Sequence, residues 1–177
     1  MMVDWKEKLT KAWPSEEVML RETEIAIRKP AKSLRDVEDA ERRLGVRLPD
    51  DVRSLYLWTD GLQGVDWSIE RLDDVDWVMA KDREVGLLYS PESKTDAAER
   101  RRRRRLADDG MVFSGALDLR RAISLSPYSG RYCCWFIDAS KNTPDLQRVI
   151  CLFPAHGHAR LWAGLFDGLS RAFKPET

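Results

Sequence analysis

The stretch "AERRLGVRLPDDVRSLYLWTDG", Ala40 to Gly61, constrains the fold more than any other part of the chain. Ser33 is a good N-cap residue, and Asp36 three positions on makes a short form of the capping box. Leu34, Val37, Ala40 and Leu44 then fall along one helical stripe, and Gly45 stands where a left-handed residue ends a helix. Pro49 forces Leu48 into extended geometry. Asp50 and Asp51 place negative charge at the positive end of a second helix, whose buried face is Val52, Leu55 and Tyr56. Asp60-Gly61 supplies residue types that tolerate a positive φ, so the second helix stops there. The segment therefore predicts two helices locked at a fixed corner. It contains no evident nucleophile, metal ligand set or phosphate cradle.

The rest of the chain adds strands. Before the corner, Asp4–Trp13 places Trp5, Leu9, Ala12 and Trp13 on one helical face, stopped near Pro14. "SEEVMLRETEIAIR" has helical and strand readings, of which a helix fraying before Pro30 is the one adopted. After Gly64, "VDWSIERLDDVDWV" suggests a strand and then a short helical turn, and "EVGLLYS" a strand. "MVFSG" and "AISLS" are short strand candidates. "RYCCWFID" and "RVICLF" are apolar at successive positions, as strands in the middle of a covered sheet are. "ARLWAG" suggests an edge strand, and Leu165, Leu169, Ala172 and Phe173 mark a closing helix. Helices first, strands next and one helix last is an α+β order, with N-terminal helices packed on one mostly antiparallel sheet and a C-terminal helix. The expected organisation is one domain over 1–177: an N-terminal helical extension at 1–30, a core at 33–173, and an exposed Arg-rich insertion at 91–109. No internal repeat is evident.

Charge excludes little in bulk and says more locally. Thirty Lys and Arg balance thirty Asp and Glu in 177 residues, so net charge gives no argument for nucleic acid or membrane. Between Asp60 and Trp77, however, Asp60, Asp66, Glu70, Asp73, Asp74 and Asp76 face one base, Arg71. Arg100 to Arg105 is an unbroken arginine run. The run reads first as a solvated loop or exposed helix, with an acidic-protein patch or nucleic-acid contact as alternatives. Interleaved aromatics or a docking motif, which a nucleic-acid reader usually adds, are missing. The segment from Asp66 to Trp77 reads either as a helix-to-sheet connection with Trp67 and Trp77 buried or as a partner surface. In the second reading Asp66, Glu70, Asp73, Asp74 and Asp76 ring an aromatic anchor, Trp67.

Candidate chemistry is sparse. His156 and His158 are the best metal-like pair, but a zinc site needs two further ligands and none stands at matching spacing. Adjacent Cys133 and Cys134 point to opposite faces of a strand, and with Cys151 they read as free, buried thiols of a reducing cytoplasm. Glu41 has no paired carboxylate and reads as a corner-fixing acceptor for backbone or an arginine. No catalytic residue, metal or cofactor is therefore expected. The start "MMVDWKEKLTKAWP" lacks a signal-peptide run, and the longest apolar run, Tyr132 to Ile137, is far short of the roughly 20 residues of a membrane span. A cytoplasmic protein is the resulting expectation.

The corner resembles the opening signature of the SUKH superfamily, the Smi/Knr-like domains. Glu41, Leu44, Gly45, Leu48, Pro49, Asp51, Leu55 and Gly61 stand where that signature places them, over about 30 residues. Val52 replaces a usual aromatic and Asp60 a usual Asn, and the Arg-rich segment has no counterpart. The resemblance implies helices on a mostly antiparallel sheet and a non-enzymatic, protein-binding role. Bacterial members are typically immunity proteins that bind a cognate polymorphic toxin, and a nuclease or other nucleic-acid-targeting toxin would complement an acidic face. Fungal relatives imply the alternative, a regulatory interaction module with no toxin.

Overall fold

The computed structural model describes residues 26–28, 30–64, 67–88, 111–113, 118–128, 133–140, 148–153, 158–162 and 164–172. The proposed helix at 4–13, the Arg100–Arg105 run, His156, Asp66 and Phe173 lie outside these residues.

The corner forms from its caps. Helix α1 (Leu34–Leu44) opens on a reciprocal capping box: the Ser33 hydroxyl accepts from the Asp36 N–H at 3.2 Å, and the Asp36 carboxylate accepts from the Ser33 N–H at 2.8 Å. Gly45 ends it at φ +72°, its N–H donating to the Glu41 carbonyl. Helix α2 (Asp50–Trp58) follows Pro49 and carries Asp50 and Asp51 in its first turn. Val37, Ala40 and Leu44 of α1 and Val52, Leu55 and Tyr56 of α2 are buried. Leu34 is the exception on the stripe predicted from sequence. It is 51% exposed, because the first helical residue lies at the rim, beyond the reach of the core.

The remaining elements are β1 (Ala26–Ile27), β2 (Leu62–Gln63), β3 (Ser68–Ile69), a 3-10 turn (Leu72–Asp74), β4 (Asp76–Trp77), α3 (Val78–Lys81) and α4 (Arg83–Leu88). After them come β5 (Met111–Phe113), a second 3-10 turn (Leu119–Arg121), β6 (Ala122–Ser124), β7 (Cys134–Asp138), β8 (Arg148–Phe153), β9 (His158–Trp162) and α5 (Leu165–Ala172). The main sheet has the order β4-β6-β7-β8-β9-β5, and β1-β2-β3 form a small second sheet. Every named strand pair is antiparallel.

Alternation along β7 and β8 divides the core in two. Trp135, Ile137, Val149 and Cys151 face α1, α2 and α5 through Val37, Leu44, Val52, Leu55, Leu165 and Leu169. Cys134, Phe136, Ile150 and Leu152 face Val78 of α3, Val85 of α4 and Leu119. Both faces are covered, which is why successive residues of these strands are apolar. The architecture is α+β, with helices in the N-terminal part, an antiparallel sheet and a C-terminal helix.

Four local expectations are corrected. Ala26–Ile27 is a strand pairing with Leu62–Gln63, since the sheet edge overrides the helical preference of the segment. "EVGLLYS" is helical through Leu88, because the Asp82 carboxylate accepts from the Val85 N–H at 3.0 Å and starts a turn there. β9 is interior, with β5 hydrogen-bonded on its outer side. Finally, Cys133 and Cys151 are disulfide-bonded, and Cys134 alone of the three is a buried thiol outside the disulfide. The pair lie diagonally on one sheet face with Cα atoms 6.5 Å apart, a geometry that depends on strand register and not on sequence spacing.

Candidate interaction site: the helical corner and its groove

The signature residues hold the corner together. Glu41 accepts from the Leu48 N–H at 2.8 Å through one oxygen and pairs with Arg53 through the other. It therefore joins α1, the link and α2 in one contact. Leu44, Leu48 and Leu55 are core residues, and Pro49 is the N-cap of α2. The Leu44 carbonyl accepts from the Trp77 indole at 3.1 Å, which ties β4 to the end of α1. Asp51 reaches across to α5, accepting from the Phe166 N–H at 3.1 Å. Burial pushes its pKa up, against the backbone N–H donors of Phe166, Val52 and Leu165, which pull it down.

Asp60 does something that its sequence position did not reveal. Its backbone is not left-handed; the positive φ belongs to Gly61, at +105°. The Asp60 carboxylate is buried, accepts from the Leu72 N–H at 3.0 Å and lies 3.5 Å from Lys32. Tyr56 is fully buried and donates to the Glu70 carbonyl at 3.1 Å; burial pushes its phenol well above the ordinary range. Together these contacts fix the acidic turn to α2.

That turn matches the helix-to-sheet reading at Trp67 and not the partner-surface reading. Trp67 is only 4% exposed and packs in the core, so it is no surface anchor. Glu70 pairs with Lys81, Asp73 with Lys32 at 2.6 Å, and Asp76 with Arg43 at 3.9 Å. The hydrogen bond to Asp73 is the largest of the effects that raise the Lys32 pKa above its ordinary value. Asp74 is exposed, and Asp73 remains 77% exposed despite its pair. Glu70, Asp73 and Asp76 are thus paired with bases from other elements, Lys32 being shared by Asp73 and Asp60.

A groove of about 520 Å³ runs along the outer side of the corner. Leu34 and Leu57 supply its apolar surface, Lys32, Arg47 and Arg53 its positive charge, and Asp50 its one carboxylate. Nothing in the sequence signals this groove, because its walls come from the start of α1 and the outer face of α2. His158 lies in β9 opposite Phe153 and Phe113. Among the described residues no cluster of three or more His, Cys, Asp or Glu could hold a metal, and no helix is long and apolar enough to cross a membrane.

The fold and its corner define a small α+β scaffold whose signature carboxylates are engaged in backbone hydrogen bonds and ion pairs. The sequence profile of the SMI1/KNR4 family (SUKH-1) matches residues 33–153, and the chain belongs to that family. No curated protein and no solved structure matches the chain.

Proposed function

We propose that this protein is a non-enzymatic, immunity-type binding module that neutralises a cognate toxin domain by stoichiometric association in the cytoplasm. The observation that carries the reading is membership of the SMI1/KNR4 family, which is consistent with such a role. A second observation supports it. Glu41, the one carboxylate with a conceivable catalytic role, is occupied in holding α1, the link and α2 together, and Asp51 and Asp60 likewise hold α5 and the acidic turn. Sequestration of this kind needs nanomolar affinity, about −12 kcal/mol, which about 800 Å² of buried surface per partner can supply.

The test is co-expression with the toxin domain encoded beside this gene. Protection of the cells, together with a complex of both chains on a sizing column, is the expected result. Toxicity undiminished and two separately eluting chains would refute the reading.

A further inference from the structure

We infer that the Cys133–Cys151 disulfide is a redox-responsive staple, made and broken in the folded protein by a small thiol–disulfide couple such as glutathione. It sets how firmly the small sheet β1-β2-β3 is joined to the main sheet. The inference goes beyond partner binding and is tested on this chain alone.

The position of Cys133 carries the argument. The β7–β8 ladder ends at Cys134 opposite Leu152, and Cys133 lies one residue beyond it. Its backbone forms a parallel bridge with Trp67, the residue before β3. A second joint between the sheets is the Glu70 N–H, which donates to the Leu125 carbonyl just after β6 at 2.7 Å. Backbone at the end of a ladder opens most readily, so a Cys133 thiol leaves the first joint loosely held. The bond to Cys151 instead ties that residue to β8, an interior strand of the main sheet.

The same geometry lets the bond open without refolding. Strand register holds the two Cα atoms 6.5 Å apart, within bridging reach. Both residues belong to the helix-facing core with Trp135 and Leu169, where thiols pack as small apolar groups. Exposure picks the sulfur that exchanges, since Cys133 is 8% exposed and Cys151 0%. An incoming thiolate attacks Cys133 Sγ and forms a mixed disulfide. The electron pair of the broken bond leaves on Cys151 Sγ, which takes up a proton. A second thiolate attacks the incoming sulfur, and the Cys133 thiolate departs and is protonated. Two small thiols are thereby oxidised to a disulfide, and the protein disulfide is reduced to two thiols. Cys134 takes no part, because it lies on the opposite face with its thiol donating to the Pro127 carbonyl at 3.6 Å. In the cytoplasm proposed above, disulfides are mostly transient or redox-sensing, which agrees with a bond of this kind.

The experiment equilibrates the folded protein in glutathione buffers from mostly reduced to mostly oxidised, traps thiols by alkylation and measures the intact mass. Wild type is expected to pass between two forms that differ by one disulfide, without denaturant. Cys134→Ala keeps that transition, and Cys151→Ala loses it. Hydrogen exchange then compares the two forms. Residues 67–70 and 133–135 are expected to exchange about tenfold or more faster in the reduced form, with a smaller change in α1. A bond that opens only once urea is added, or that never forms in oxidised glutathione, overturns the inference. Loss of the transition in Cys134→Ala overturns the assignment of the pair. Equal acceleration across the chain, or none at all, shows that the bond does not act on the joint and overturns the staple.

Discussion

The carboxylate of Asp51, in the first turn of α2, accepts a hydrogen bond from the backbone of Phe166, 115 residues further along the chain. One side chain thereby caps the start of α5 and anchors it to the helical corner. The neighbouring Gly164 leaves the space, since a Cβ there would lie 2.5 Å from the Asp51 carboxylate. The acid of the signature thus holds the terminal helix against the second helix, in addition to its place in the positive end of α2.

Asp51→Ala removes that cap and is expected to cost about 1–2 kcal/mol in denaturant unfolding. Asp51→Asn keeps one acceptor and costs less. The pH dependence separates the two states of the wild type. Burial raises the folded pKa above the ordinary 3.8, so the folded chain binds this proton more tightly than the unfolded chain. The stability from this group is full below pH 3.8 and is lost as pH rises through the raised value. Wild type should therefore lose ground to Asp51→Asn as the pH rises from acid towards neutral. A stability difference between them that is flat with pH would contradict this.

Glu41→Ala leaves the Arg53 guanidinium and the Leu48 N–H without their shared acceptor. The expected loss is about 2–3 kcal/mol, set by the mostly buried position of the pair. Glu41→Gln still accepts from Leu48 and should lose less. Urea unfolding of the two variants checks the order.

Gly45 and Gly61 both have positive φ but differ in their surroundings. A Cβ on Gly45 meets nothing within 4 Å, whereas one on Gly61 lies 2.5 Å from the Ile69 carbonyl oxygen. Gly45→Ala should cost about 1 kcal/mol, the left-handed penalty alone. Gly61→Ala should cost about 3 kcal/mol or more, since β3 must also shift. Comparable unfolding midpoints for the two variants would refute the difference.

The Cys133–Cys151 disulfide closes a loop of sequence separation 18. Oxidised protein is expected to be about 3 kcal/mol more stable than reduced protein. Alkylation and intact-mass measurement identify the two forms, and unfolding with and without a dithiol reductant gives the difference.

The corner was legible because its signals are local: Ser33 with Asp36, an apolar stripe of helical period, Gly45 and Pro49. The central strands were legible because covering both faces of a sheet makes successive residues apolar. What escaped depends on partners distant in sequence. Asp73 meets Lys32 from 41 positions away and Asp76 meets Arg43, so part of the acidic cluster in the sequence is paired in space. Of the two readings of Trp67, buried in a helix-to-sheet connection or anchoring a partner surface, the structure bears out the first, since Trp67 lies in the core. Cys133 finds Cys151 only through the register of β7 on β8. The "EVGLLYS" segment was ambiguous because a short apolar run fits strand and helix alike, and the cap at Asp82 decided it. The groove has walls from two elements, so no contiguous motif marks it.

The most direct test of the central claim is toxin activity measured at increasing molar ratios of this protein. Stoichiometric neutralisation predicts a straight decline that reaches zero at one equivalent, independent of incubation time. Inactivation by a small fraction of an equivalent that deepens with time, or full activity at a large excess, would contradict it.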